Sequence, residues 1–222
     1  NASTELWEQL GIDIEGEANH DVSGYSVSLN SNGKIVAIGA VGGGSSGYTR
    51  VYQWDGVSWS QMGNNIDGEA PNDQSGWSVS LSSNGKRVAI GAIRNDGESG
   101  NVNDNSGHTR IYEWDSSSWN QVGDDIVGEA AQDQSGFSVS LSSNGTIVAI
   151  GAVKNDDGGS NSGHARIYEY NASTELWEQL GNDIVGENTN DNIGYSVSLS
   201  SDGARVAIGA FFTNEKGVTR IY

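Results

Sequence analysis

The stretch Gly24–Ala40, GYSVSLNSNGKIVAIGA, decides the fold, because it recurs as GWSVSLSSNGKRVAIGA at 76–92, GFSVSLSSNGTIVAIGA at 136–152 and GYSVSLSSDGARVAIGA at 194–210. Each copy carries two runs of alternating residues around Asn32-Gly33, Asn84-Gly85, Asn144-Gly145 or Asp202-Gly203. Asn-Gly or Asp-Gly between alternating runs predicts a hairpin, with a two-residue type I′ turn that needs positive φ at both positions. Four hairpins of one design make a repeat protein.

Outward from the hairpin, the same frame repeats on both sides. A run with strand alternation follows each copy: Thr49–Tyr52, Thr109–Tyr112, Ala165–Tyr168 and Thr219–Tyr222. A Trp-x-Gln-x-Gly block recurs at Trp7, Trp59, Trp119 and Trp177. One unit therefore holds four strands, here called A and B (the hairpin), C and D. Four-stranded units spaced at about 50 residues predict an all-β, four-bladed β-propeller of antiparallel blades. We read one domain over 1–222, with repeats at about 12–66, 67–126, 127–184 and 185–222 plus 1–11. The chain opens on a D block and closes on a C run, so residues 6–11 are expected to complete the last blade and cover its edge. The small faces of A and B (Ser26, Ser28, Ala37, Gly39) are expected near the axis, with the large faces filling the opposite side.

Composition agrees with a folded, water-facing chain. Seven Trp and eight Tyr supply buriable surface, and 32 Gly with one Pro suit many short strands and tight turns. A net charge of −18 repels phosphate backbones and anionic lipid, so nucleic-acid and membrane-surface partners are not expected. No apolar run approaches the length of a membrane span, so membrane insertion is not expected either. Cysteine is absent, and no disulfide reports the compartment.

The acids gather in two loops. The D–A loop repeats as Gly-Glu-x-x-x-Asp, giving Glu17/Asp21, Glu69/Asp73, Glu129/Asp133 and Glu187/Asp191. One reading is a cation site, since hard oxygen ligands suit Ca²⁺. The other is structural: each Asp fixes its turn through backbone N–H groups, or a carboxylate pairs with the repeated Arg50, Arg110, Arg166 and Arg220. The B–C loop varies, and its two long versions, 93–107 and 153–163, carry Asp96, Asp104, Asp156 and Asp157. Those four are candidate Ca²⁺ ligands or sugar contacts, against the alternative of a solvated acidic loop. His108 and His164 share a position held elsewhere by Tyr48 and Val218, so that position does not require imidazole. No nucleophile–base constellation converges, so an enzyme is not expected. Asn1, Asn144 and Asn171 open glycosylation sequons. Residues 1–11 and 171–181 are the same eleven residues, consistent with a recent duplication and a longer array.

The frame GYSVSL, NGK, VAIGA and RIY resembles the FG-GAP repeat of integrin α-subunit propellers and of many secreted or surface proteins. That resemblance implies a propeller and an extracellular or cell-surface adhesive role. Its Asp-x-Asp-x-Asp-Gly calcium loop between strands A and B is replaced here by a bare Asn-Gly turn, and its propellers have more than four blades. The expected function is a non-catalytic extracellular structural or adhesive module whose partners are other protein subunits, by self-assembly, or glycans. A carbohydrate-binding propeller using the two long loops is the alternative.

Overall fold

The structure, a computed structural model, describes residues 6–42, 45–97, 103–211 and 216–222. All its regular elements are strands, in four antiparallel sheets. Blade 1 contains β1 (Ser23–Leu29), β2 (Ile35–Ala40), β3 (Tyr48–Trp54), β4 (Trp59–Gln61) and β5 (Ile66–Asp67). Blade 2 contains β6 (Ser75–Leu81), β7 (Arg87–Ala92), β8 (His108–Trp114), β9 (Trp119–Gln121) and β10 (Ile126–Val127). Blade 3 contains β11 (Ser135–Leu141), β12 (Ile147–Ala152), β13 (His164–Asn171), β14 (Leu176–Gln179) and β15 (Ile184–Val185). Blade 4 contains β16 (Ser196–Leu199), β17 (Val206–Ala210) and β18 (Val218–Ile221). Within the first three blades β4, β9 and β14, then β5, β10 and β15, are two pieces of one outer strand paired to strand C. The break falls at Gly63, Gly123 and Gly181, each with φ near +70°.

The hairpin turns are longer than the two-residue type I′ expected. Gly33 has φ +68° but Asn32 is not left-handed, and residues 30–34 separate the strands. Gly33 N donates to Asn30 O and Asn30 N to Ile35 O, which builds a type I turn followed by a left-handed glycine. Side chains decide this: Asn30 Oδ1 accepts from Lys34 N and Ile35 N, and Asn32 Oδ1 from Lys34 N. In the other copies a serine hydroxyl takes over, with Arg87 N donating to Ser82 Oγ and Ile147 N to Ser142 Oγ.

The core lies between blades rather than within them. Ala37, Val51, Met62 and Ile66 of blade 1 bury against Val79, Leu81, Val88 and Ile90 of blade 2. The same pattern joins blades 2 and 3, and blades 3 and 4. Each blade thus turns its small face to the following blade and its large face to the preceding one; the small face is not reserved for the axis. Glycine makes this approach possible, because a Cβ on Gly39, Gly91 or Gly151 would sit about 2 Å from the carbonyl oxygen of Gly76, Gly136 or Gly194. Those carbonyls are pushed outward by a bulge, where φ is +86° at Gly76 and the ladder register shifts between Ser75 and Ser78. They also accept from Ser26 Oγ, Ser78 Oγ and Ser138 Oγ, each at 2.7 Å. At the rim, Trp119 Nε1 donates to Met62 O and Trp177 Nε1 to Val122 O, both at 2.8 Å.

The all-β, four-bladed class is as the repeats predict, but the closing strand is placed differently. Blade 4 has three strands, and residues 6–11 do not pair with it. Trp59 Nε1 donates to Leu10 O, and Gly11 packs on the Trp54 and Trp59 rings. That is the contact Met62 and Gly63 make with Trp114 and Trp119. The Leu10-Gly11 pair is therefore held by the indoles of blade 1, as each outer strand is held by the next blade.

Candidate metal centre

At the start of strand C, each of the first three blades brings three segments together: the glutamate of the D–A loop, the first residue of C, and the acid or amide that precedes the second piece of D. In blade 3 these are Glu129, His164 and Asp183, and the 153–163 loop adds Asp157. Pairing sets the place, since His164 lies opposite Val185 in β15 and Ala152 in β12. Its ring is fully buried, and neither ring nitrogen makes a hydrogen bond. Nδ1 faces Glu129 Oε2 at 3.6 Å, Asp183 Oδ2 at 3.7 Å and Asp157 Oδ2 at 4.0 Å.

Electrostatics make this arrangement uncomfortable without a cation. Burial, helped by Arg166, pushes the His164 pKa down to about 4 against the pull of Asp183 and Asp157, so the imidazole is neutral near pH 7. A neutral imidazole has one donor and one lone pair, and leaving such groups buried and unpaired costs about 1–3 kcal/mol each. Burial also raises Glu129, and repulsion from Asp183 and Asp157 adds to that against Arg166. One imidazole and three carboxylates could hold a metal ion. A tetrahedral shell with bonds of about 2.0–2.1 Å sets its ligand atoms roughly 3.3 Å apart, so small carboxylate rotations close the gap.

The other blades hold graded versions of the same site. In blade 2, His108 Nδ1 faces Asp125 Oδ2 at 3.3 Å and Glu69 Oε2 at 3.7 Å, while Gly97 stands where blade 3 has Asp157. His108 is likewise buried without a hydrogen bond. Burial opposes ionisation of Asp125, but His108, Gln121 and Arg110 together hold it below the ordinary range. In blade 1 the position is polar but self-satisfied. Asn65 Nδ2 donates to Glu17 Oε2 at 2.9 Å and Tyr48 donates to Asp21 Oδ2 at 2.7 Å, its pKa pushed up to about 12 by burial and by Asp21. In blade 4, Val218 replaces the imidazole.

The loop acids singled out in the sequence have distinct places. Asp21, Asp73, Asp133 and Asp191 each accept from a backbone N–H three residues back, at Ala18, Ala70, Ala130 and Asn188. Asn95 and Asn155 donate to Asp73 and Asp133, tying the B–C loop to the D–A loop. Glu69, Glu129 and Glu187 pair with Arg110, Arg166 and Arg220 at 3.5, 3.5 and 2.9 Å. Arg50 instead donates to Glu15 O and Ser23 Oγ. Asp96, Asp104, Asp156 and Asp157 are not one ligand set. Asp96 accepts from Asn103 N and Asn105 N, and Asp156 from Asn161 N, so both close their own loops. Asp104 lines an open cleft of about 400 Å³ with Asp125 and Glu129. Only Asp157 joins a metal-capable group. Of the sequons, Asn144 is exposed in a hairpin turn, Asn171 ends β13 half-buried and donates to Glu178, and Asn1 lies outside the described residues.

Taking each repeat position alone sets His108 and His164 aside and passes over Asp125 and Asp183. Read jointly, wherever His opens strand C an Asp follows Trp-x-Gln-x-Gly two residues later, and where Tyr48 opens it that residue is Asn65.

The FG-GAP repeat family matches residues 128–168, a span that contains Glu129, Asp157 and His164. No curated protein matches the chain as a sequence relative. Among solved structures, the chain is similar to a candidate 6-phosphogluconolactonase from Bacteroides uniformis ATCC 8492, with TM-score 0.58 and 12% identity over 89% of this chain and 49% of that one. It is also similar to Kuenenia stuttgartiensis hydrazine synthase, with TM-score 0.55 and 12% identity over 88% and 57%. Saccharomyces cerevisiae Sqt1 is similar with TM-score 0.52 and 12% identity over 86% and 43%. The chain spans about half the length of these structures, and at such identities the likeness concerns the propeller fold alone. Among the described residues no helix is long and apolar enough to cross a membrane.

Proposed function

We propose that the chain is a non-catalytic structural module of adhesive type, working outside the cell, in which a divalent cation fastens the third repeat. The observation that carries this reading is His164: a fully buried ring without a hydrogen bond, aimed at three carboxylates. The donor set moves the expectation from Ca²⁺ to a cation of the Zn²⁺ class. Ca²⁺ takes six to eight oxygens, whereas a neutral imidazole nitrogen with carboxylates suits Zn²⁺. Four protein ligands fill a tetrahedral shell and leave no open position, which is the habit of structural rather than catalytic sites. A cation there joins the D–A loop, the B–C loop, strand C and the second piece of D in one blade.

The FG-GAP repeat supports an extracellular setting. The non-catalytic reading rests on how the repeated acids are used, since each Asp of the D–A loops holds a backbone N–H and three of the glutamates hold arginine. Calorimetric titration of the metal-free chain with Zn²⁺, Mn²⁺ and Ca²⁺ tests the cation. We expect one tight Zn²⁺ site that disappears in His164→Val and Asp183→Asn, and a weaker one that disappears in His108→Val. Tighter binding of Ca²⁺ than Zn²⁺, unchanged by His164→Val, would contradict the assignment. Labelling of the chain on intact cells by a membrane-impermeant reagent tests the location, and protection from the reagent until lysis would sink it.

A further inference from the structure

We propose that the centre of the second repeat holds its cation with three protein ligands and keeps a fourth position for the imidazole of a histidine on another protein. This rests on the reading of these centres as cation sites, and it names what the second one recruits.

The second centre is built like the third but is one ligand short. His108 is 1% exposed, and neither of its ring nitrogens makes a hydrogen bond. Its Nδ1 faces Asp125 Oδ2 at 3.3 Å and Glu69 Oε2 at 3.7 Å. Both carboxylates are held from behind. Gln121 Nε2 donates to Asp125 Oδ1 at 2.6 Å, Arg110 Nη1 lies 3.5 Å from Glu69 Oε1, and Asn95 Nδ2 donates to Glu69 Oε2 at 3.3 Å. Such neighbours orient the ligands of a metal. In the third repeat Asp157 completes the set, whereas Gly97 has that place in the second. No other His, Asp or Glu among the described residues joins the group. Three protein ligands with a fourth position left to an outside donor is an established zinc arrangement.

The side left without a protein ligand lies beside an open cleft. A Cβ on Gly97 would meet Ser106 Oγ at 2.6 Å and Val127 Cγ1 at 3.0 Å. Ser106 and Val127, together with the ligand Asp125, are walls of the cleft of about 400 Å³. Val127 also lies opposite His108 in the ladder, which sets the cleft next to the buried ring.

Charge selects the incoming donor. Glu69 and Asp125 already balance a divalent cation, Asp104 and Glu129 line the cleft, and the chain carries a net charge of −18. A further carboxylate or a thiolate would add negative charge to that field, and an ammonium group has no lone pair to give near neutral pH. Histidine supplies an uncharged nitrogen donor at that pH and is a common metal ligand.

Cobalt(II) reports coordination by its visible absorption, and imidazole, acetate and a short peptide with one histidine serve as probes of the fourth position. His164→Val leaves only the second centre and His108→Val only the third; the fourth repeat already carries Val218 at this position. We expect imidazole and the histidine peptide to shift the Co²⁺ spectrum of His164→Val saturably, with imidazole binding at least about tenfold tighter than acetate. The spectrum of His108→Val should stay unchanged, and Asp157→Gly added to it should confer the response. The parent, loaded with two Co²⁺, should take up one imidazole, a count that needs no variant. Cobalt bound by His164→Val with a spectrum that imidazole leaves unmoved overturns the open position while the cation reading stands. Failure of His164→Val, with native circular dichroism, to bind cobalt removes the second cation and the proposal with it. Acetate binding as tightly as imidazole, equal responses of the two centres, or no gain from Asp157→Gly also overturns the proposal.

Discussion

Replacing Gly91 with alanine is expected to pry blades 2 and 3 apart. The new Cβ would lie 2.1 Å from Gly136 O, 2.5 Å from Ser78 Oγ and 2.9 Å from Gly136 C. Tolerable carbon–oxygen contact begins at about 3.3 Å, so the sheets must separate locally by roughly 1 Å. A gap of that size forfeits about a quarter to a half of each dispersion contact it opens, and overpacking of this kind costs about 1–3 kcal/mol. Stretching the 2.7 Å bond from Ser78 Oγ to Gly136 O adds about 1 kcal/mol. The expected loss is about 3 kcal/mol, which for a chain of this length lowers Tm by roughly 6–12 °C. Gly209→Ala is the internal control, because its Cβ meets a rotatable hydroxyl, Ser196 Oγ, and no backbone of another blade. It should stay within about 0.5 kcal/mol of the parent. Thermal unfolding of dilute chain, followed by near-ultraviolet circular dichroism, reads both. Equal shifts in the two variants, or a Gly91→Ala shift below about 2 °C, would refute the interleaved-glycine argument.

Three further outcomes follow from the same geometry. In the metal-free chain, His164 titrates at about 4 when folded and near 6.5 when unfolded, so the unfolded chain takes up the proton first as pH falls. The stability this provides is complete above about pH 6.5 and is lost toward pH 4, amounting to roughly 3 kcal/mol. Urea unfolding at several pH values should find that part of the slope missing in His164→Val; an identical slope in the variant would contradict the burial argument. Trp119→Phe orphans Met62 O between blades and should cost about 1–2 kcal/mol by urea unfolding. Trp59→Phe loses only its bond to Leu10 O in the exposed 6–11 segment and should stay within about 0.5 kcal/mol; equal costs would contradict the placement of that segment.

The blades were legible because each local signal agreed with the others. Alternation in GYSVSL and VAIGA, a left-handed Gly33 and a Trp at the same offset all specify one sheet, four times over. What sequence reading placed wrongly depends on relations between repeats. The small face of Ala37 and Gly39 looked like an axial lining, yet it receives the bulge carbonyl of Gly76 from the next sheet. The turn after Leu29 reads as a two-residue Asn32-Gly33 hairpin, whereas the Asn30 side chain caps Lys34 and Ile35 and makes the connection longer. Residues 6–11 have the sequence of an outer strand, and which blade holds them is decided by an indole, Trp59, some fifty residues away. The candidate metal centre was half legible: Asp157 and Glu129 stood out as loop acids, while His164 was set aside because Tyr48 and Val218 share its position. Only the pairing of His with Asp across repeats distinguishes a ligand position from a packing position.

The most direct test of the cation at the third repeat is anomalous scattering at the zinc edge from crystals of the chain grown with Zn²⁺. The account predicts a peak about 2.0–2.1 Å from His164 Nδ1, bonded also by Glu129, Asp157 and Asp183. No peak there, or zinc bound elsewhere with the His164 ring still unpaired, would contradict it.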